Sequence, residues 1–168
     1  IEIAKKIVEA NGILKDNVHF ILQEHPGSIF HGIINKEDRF DLTLCNPPFH
    51  SSTQEAEKGS RRKVRNLSGK RVVNPILNFA GINNELICEG GEIQFIKNMV
   101  GESKRYAKNC LWYTTLVSKQ SNVKTIVQLL NEFNACEIKT IPMGTGNKST
   151  RIVAWTFLSK EEQKNWSR

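Results

Sequence analysis

The stretch that most constrains this chain is Asp41-Leu42-Thr43-Leu44-Cys45-Asn46-Pro47-Pro48-Phe49. An apolar run of strand composition stops there at two consecutive prolines. Proline has no backbone N–H to give to a sheet ladder, and each one drives the residue before it into extended geometry. The run therefore reads as a buried strand closed by a stiff turn, holding an amide, a carbonyl and an aromatic ring in fixed relation. Open α/β sheets bind ligands at the carboxyl ends of their strands. The turn formed by Asn46, Pro47, Pro48 and Phe49 is accordingly the candidate catalytic motif.

The pattern on either side supplies a sheet for that strand to join. Residues 1–10 read as a helix with Ile3, Ile7 and Ala10 on one side, stopped by Asn11-Gly12. Residues 18–22 read as a short strand, and Pro26-Gly27-Ser28 as the start of a brief helical segment to about Ile34. The next strand covers 40–45. Ile93, Ile96 and Val100 recur at helical spacing after Gly90-Gly91, predicting a helix to about Ala107. Residues 109–117, rich in aromatic and β-branched side chains, read as a strand. An amphipathic helix follows over 122–134, with Val123, Ile126, Val127, Leu130 and Phe133 on its apolar side. Strands at 136–143 and 151–158, joined by the turn Gly144-Thr145-Gly146-Asn147, suggest an antiparallel hairpin before a short charged helix or tail. Alternating elements imply a doubly wound, mostly parallel α/β sheet, here with a C-terminal antiparallel hairpin. A strand hairpin at the far edge is a mark of the class I (Rossmann-like) methyltransferase fold.

Between the turn and the third helix the periodicity is lost. Residues 50–74 are polar, basic and long for a plain connection. Residues 75–88 are ambiguous, with a short helix over 83–88 expected. Lys58, Arg61, Arg62, Lys63, Arg65, Lys70 and Arg71 fall in one acid-free run within a chain whose net charge is +7. Such a segment can neutralise phosphates and release counterions. The four cysteines are scattered, with no C-x-x-C pair and no metal-type spacing to the histidines. They read as buried thiols in a reducing compartment, and the expectation is a cytoplasmic protein without a metal site. No run approaches the length of a membrane span.

The chemistry open to the turn follows from its groups. An exocyclic base amine is a poor nucleophile because its lone pair is delocalised into the ring. The Asn46 side-chain oxygen and the Pro47 carbonyl can accept its two hydrogens and so localise that lone pair. Phe49 can stack on the base. No strong general base is needed, orientation supplies most of the rate, and the base must be unpaired or flipped out. Three neighbouring features read as structural. Asp41 is taken as a turn or cap residue and His50 as a partly exposed loop histidine. Gly144-Thr145-Gly146-Asn147-Lys148-Ser149 lacks the context of a phosphate loop.

Several strings then resemble a known family. They are Thr43-Leu44-Cys45-Asn46-Pro47-Pro48-Phe49-His50, Glu89-Gly90-Gly91-Glu92 leading into Phe95-Ile96 and Glu102-Ser103-Lys104, and Ile152-Val153-Ala154-Trp155-Thr156-Phe157. In that order they resemble the bacterial 23S rRNA (adenine-N6)-methyltransferases and, more loosely, methyltransferase-like protein 16. The resemblance implies S-adenosyl-L-methionine as methyl donor and an adenine of 23S ribosomal RNA as acceptor. It makes Asn46 to Phe49 the catalytic motif, Ser28 and Asn46 cofactor contacts, and Arg61, Arg62, Lys63 and Arg65 part of a substrate-facing, RNA-binding loop over 50–74. It also implies that the glycine-rich cofactor loop, the acid that holds the ribose and the first strands lie upstream of residue 1. Residues 1–168 are thus expected to be the C-terminal part of one methyltransferase domain. A DNA-adenine or protein-glutamine methyltransferase, and a non-catalytic RNA-binding remnant of the fold, are the other readings.

Overall fold

The computed structural model describes residues 1–25, 27–48, 50–52, 54, 87–145 and 148–166. Helix α1, Glu2–Glu9, begins with Glu2 and ends with Lys6 in its last turn, charges that suit the helix dipole. Its predicted apolar side is open, with Ile3 76% and Ile7 60% exposed and only Val8 buried. Asn11 ends one helix but also starts another. Its side chain accepts from the Ile13 N–H at 3.3 Å and caps the short α2, Gly12–Lys15.

Two expected elements are absent. Residues 18–22 form no strand, because the segment finds no ladder partner among the described residues and leaves Ile21 and Leu22 in solvent. The helical segment expected from Pro26 to Ile34 is a single turn, in which the Ile33 and Ile34 N–H groups both donate to the Phe30 carbonyl at 3.0 Å. A helix begun at Pro26 would use the Phe30 and His31 amides for its own bonds, and Glu102 takes both. Pro26 lies outside the described residues.

Strand β1, Phe40–Leu42, runs parallel to β2, Cys110–Val117, with Phe40 opposite Cys110 and Leu42 opposite Trp112. The turn before β1 is fixed by Asn109, whose side-chain amide donates to the carbonyls of Asn35, Lys36 and Asp38 at 2.9–3.1 Å. Asp41 is not the expected cap. Its carboxylate accepts from Trp166 Nε1 at 2.9 Å and ties the far end of the chain to the first strand.

Helix α3, Gly91–Arg105, follows Gly90, whose φ of 76° is left-handed. A Cβ on Gly90 would lie 2.6 Å from that of Gln94, so both backbone and space demand glycine. Of the three positions picked out by the spacing, Ile96 and Val100 are buried and Ile93 is half-buried, and Met99 completes the buried stripe. Helix α4, Gln120–Glu132, buries Ile126 and Leu130. It packs against α3, and both helices lie on β2. The expected hairpin is present as β3, Glu137–Thr145, and β4, Lys148–Thr156, paired from Glu137 opposite Thr156 to Thr145 opposite Lys148. Residues 146–147 of its turn, and most of the predicted 83–88 helix, lie outside the described residues. Helix α5, Lys160–Lys164, is entered through a reciprocal capping box between Ser159 and Glu162.

The mixed sheet has the order β1-β2-β4-β3, parallel at β1/β2 and antiparallel beyond. At its centre Trp155 stacks on Tyr113 with ring centroids 5.9 Å apart. Their polar atoms are satisfied, Trp155 Nε1 by Ser103 Oγ at 3.0 Å and the Tyr113 hydroxyl by the Tyr106 carbonyl at 2.6 Å. These bonds offset the desolvation of two polar-tipped aromatics that fill the core. The opposite border is different in kind. β1 pairs only with β2 among the described residues, and Leu42 and Leu44 are 51% and 81% exposed. Among the described residues no helix is long and apolar enough to cross a membrane, and no group of three His, Cys, Asp or Glu is placed to hold a metal ion.

Candidate active site

Because β1 and β2 are parallel, their carboxyl ends share one edge of the sheet. The chain leaves β1 at that edge, and its pairing outlasts the regular strand. The Thr43 N–H donates to the Trp112 carbonyl at 3.0 Å, and the Leu116 N–H donates to the Cys45 carbonyl at 2.9 Å. The last anchor thus sits one residue before Asn46. Pro47 is buried and Pro48 half-buried, so the turn is wedged in place by its rings. Asn46 is exposed, and its side-chain amide makes no hydrogen bond among the described residues. An anchored backbone carrying an open amide is what presentation of a planar amine requires. Phe49 lies outside the described residues, as do Arg61, Arg62, Lys63 and Arg65.

The chain resumes at His50, which is half-buried and forms a parallel bridge with Ile87 through the Cys88 N–H and its own carbonyl, 3.0 Å apart. The bridge brings the 87–90 segment beside the turn. The two then enclose, with the loop before Phe30, an open cavity of about 940 Å³. Gly27, Ser28 and Ile29 form one wall, Pro48 another, and Gln94, Phe95 and Asn98 of α3 the floor. Gln94 Nε2 donates to Asn98 Oδ1 at 3.0 Å along that floor. Ser28 and Pro48, 20 residues apart in the chain, are thereby brought to one cavity.

Neighbouring ionisable groups argue for orientation rather than covalent chemistry. Burial pushes the Cys45 thiol up from its ordinary value, against the opposing effect of a hydrogen bond with Thr115. A neutral thiol beside Asn46 is a poor nucleophile.

Two carboxylates shape the edge and were given no role by the sequence. Glu92, 2% exposed, accepts from the Ser118 N–H at 2.6 Å, the Lys119 N–H at 3.3 Å and Asn122 Nδ2 at 2.7 Å. It ties the start of α3 to the end of β2 and the start of α4, and these donors compensate its desolvation. Glu102 accepts from the N–H groups of Ile29, Phe30 and His31 at 3.0, 2.7 and 3.2 Å. Gln23 completes that loop, donating to the His31 carbonyl at 2.8 Å and accepting from the His25 N–H at 2.9 Å. Glu102 falls within a string that carries the resemblance, but no local pattern could reveal amide partners more than 70 residues away.

Comparisons with known proteins agree with this architecture. A family described as RNA methyltransferase matches residues 1–159. "Ribosomal RNA large subunit methyltransferase F" of Cytophaga hutchinsonii is 51% identical over 163 residues, which are 97% of this chain and 51% of that protein. The protein of the same name from Photobacterium profundum is 48% identical, over 99% of this chain and 54% of its own length. The chain spans about half the length of the relatives it matches. Among solved structures, the hMettl16 catalytic domain in complex with MAT2A 3′UTR hairpin 1 superposes with a TM-score of 0.75 at 24% identity, over 95% of this chain and 52% of that one. The N-terminal domain of human METTL16 in complex with SAH gives 0.61 at 20% identity, over 94% and 48%. The fold is that of the class I methyltransferases, as the element order predicts.

Proposed function

The chain belongs to the RNA methyltransferase family, and from that premise we propose that it carries the base-presenting part of an active site that methylates the N6 amino group of an adenine in 23S ribosomal RNA. The observation that carries this reading is the turn at the end of β1, with Asn46 open and Pro48 lining the same cavity as Ser28. The name that these relatives carry, "Ribosomal RNA large subunit methyltransferase F", supports the class of substrate.

S-adenosylmethionine, when bound, supplies an electrophilic methyl group. The cavity suits a molecule of that size, since small-molecule and cofactor sites run from about 300 to 1,000 Å³; Ser28, which lines it, and Asn46, which is not among its described lining residues but stands two residues before the lining Pro48, are the residues that would hold it. The chain's own part is to orient the acceptor. The Asn46 side-chain oxygen and the Pro47 carbonyl receive the two amino hydrogens of the adenine and draw the nitrogen lone pair out of conjugation. Phe49 stacks on the base. The proton released from the alkylated nitrogen is acidic and passes to solvent, so a dedicated strong base is unnecessary. Arg61, Arg62, Lys63 and Arg65 hold the RNA backbone, and the protein works where ribosomal RNA is made, in the cytoplasm.

The test is Asn46→Ala, read by mass spectrometry of nucleosides after incubation with ribosomal RNA and labelled donor. N6-methyladenosine should fall by at least about a hundredfold, the scale on which a single oriented polar group acts in other active sites, with RNA affinity retained. Undiminished turnover would remove Asn46 from the chemistry. Label found on DNA adenine or on glutamine would replace the substrate.

A further inference from the structure

The segment 27–31 is a thin wall between two hollows. Its front, at Gly27, Ser28 and Ile29, borders the cavity shared with Pro48, and behind it lies a groove that Glu102 helps to line. Glu102 meets the wall from behind. Its two carboxylate oxygens lie 3.0 and 3.1 Å from the Ile29 nitrogen, and one of them also takes the Phe30 and His31 N–H groups at 2.7 and 3.2 Å. Successive N–H groups that converge in this way form a nest for an anion. Here the anion is built in and mounted on α3, whose buried stripe packs in the core.

The direction of these bonds matters for the front of the wall. In a planar trans peptide the C=O points opposite to the N–H of the same unit. With the Ile29 and Phe30 N–H groups turned to Glu102, the Ser28 and Ile29 carbonyls point away from it, and neither accepts a hydrogen bond among the described residues. Gln23 and Gly32 hold the loop's other end. The Gln23 amide donates to the His31 carbonyl, and Gly32, at φ 82°, lets the chain turn back, where a Cβ would come within 3.2 Å of the His25 ring.

We propose that Glu102 is a positioning residue for the methyl donor, holding the Ser28 wall at a fixed height with the Ser28 hydroxyl and the Ser28 and Ile29 carbonyls presented to a cationic, amine-bearing ligand. This rests on the reading of Ser28 as a donor contact. Glu102 touches neither the donor nor the RNA; it acts through the loop.

The experiment compares the wild-type protein with Glu102→Gln and Glu102→Asp, titrating S-adenosylhomocysteine by calorimetry and a short adenine-containing RNA hairpin by fluorescence. Amide hydrogen exchange is followed at residues 29–31. Glu102→Gln keeps the shape and loses the charge. It should speed exchange at those amides and weaken S-adenosylhomocysteine binding by about tenfold, the scale of outer partners that only orient binding groups at metal sites, while RNA affinity stays within about twofold. Glu102→Asp, which keeps the charge on a shorter arm, should recover part of the loss. A folded Glu102→Gln protein with unchanged affinity for S-adenosylhomocysteine would overturn the proposal. So would equal losses for both ligands in step with the thermal midpoint, which would make Glu102 merely structural. A wild-type protein that binds the RNA but no S-adenosylhomocysteine would instead overturn the donor reading itself, and this inference with it.

Discussion

Thr43 and Thr114 are joined twice: the Thr114 hydroxyl donates to the Thr43 carbonyl at 2.5 Å, and the Thr114 N–H donates to the Thr43 hydroxyl at 3.0 Å. The pair stands where β1 leaves regular pairing and side chains continue the ladder, three residues before Asn46. Thr43→Val keeps the volume and removes the acceptor, leaving the N–H of a buried residue unpaired. It should lower stability by about 1–3 kcal/mol, the cost of an orphaned buried polar group. Urea unfolding measures this, and Thr43→Ser should restore most of it. A Thr43→Val midpoint equal to wild type would show that β1 is held by other means.

The proposed role of the basic run makes a separate prediction about salt. Replacing Arg61, Arg62, Lys63 and Arg65 with glutamine should weaken RNA binding. It should also flatten the salt dependence by roughly 0.7 log units per log unit for each single-strand phosphate that is no longer neutralised. Fluorescence titrations at several salt concentrations give the slope. An unaltered slope would take the run out of the interface.

Acid stability should report on Glu162. Its hydrogen bond with Lys108, then that with the Ser159 backbone, hold its carboxyl well below the ordinary value of 4.5, down to about 2. A depressed folded value means that the ionised form is favoured by folding. The contribution is present above the unfolded value and is lost as pH falls from about 4.5 towards 2. Both partners are largely in solvent, so the effect is small and screened by salt. Thermal midpoints of wild type and Glu162→Gln should differ most near neutral pH and at low salt, and converge as the pH approaches 2. A gap that stays constant from pH 7 to pH 2 would contradict this.

The elements legible in the sequence are those whose own pattern matches their burial. α3 and α4 carry their stripes at helical spacing because each packs one side on β2. The β3–β4 hairpin announces itself by two strand-like runs about a glycine-rich turn. Residues 18–22 show the opposite case. Strand composition states a preference, but a strand exists only where a neighbour completes its ladder, and none of the described residues does so there. The turn from Phe30 to Ile34 falls short of the expected helix for a related reason, since a distant carboxylate competes for the amides that a helix would use. At the candidate site the covalent stiffness of Asn46-Pro47-Pro48 is visible from composition alone. Its supports are not, because Thr114, Glu92 and Glu102 act on backbone groups remote in sequence, and periodicity says nothing of such pairings.

The double link between Thr43 and Thr114 spans 71 residues of chain. That distance has a meaning in time. At a synthesis rate of about 5–20 residues per second, Thr43, just beyond β1, waits roughly four to fourteen seconds for Thr114 to be made. Through that interval Leu42 and Leu44 have no β2 beside them. The motif closest to the proposed chemistry is made before the strand that supports it, and a ribosome that stalls between Asn46 and Val117 holds a polypeptide that contains Asn46 but has not completed its mount.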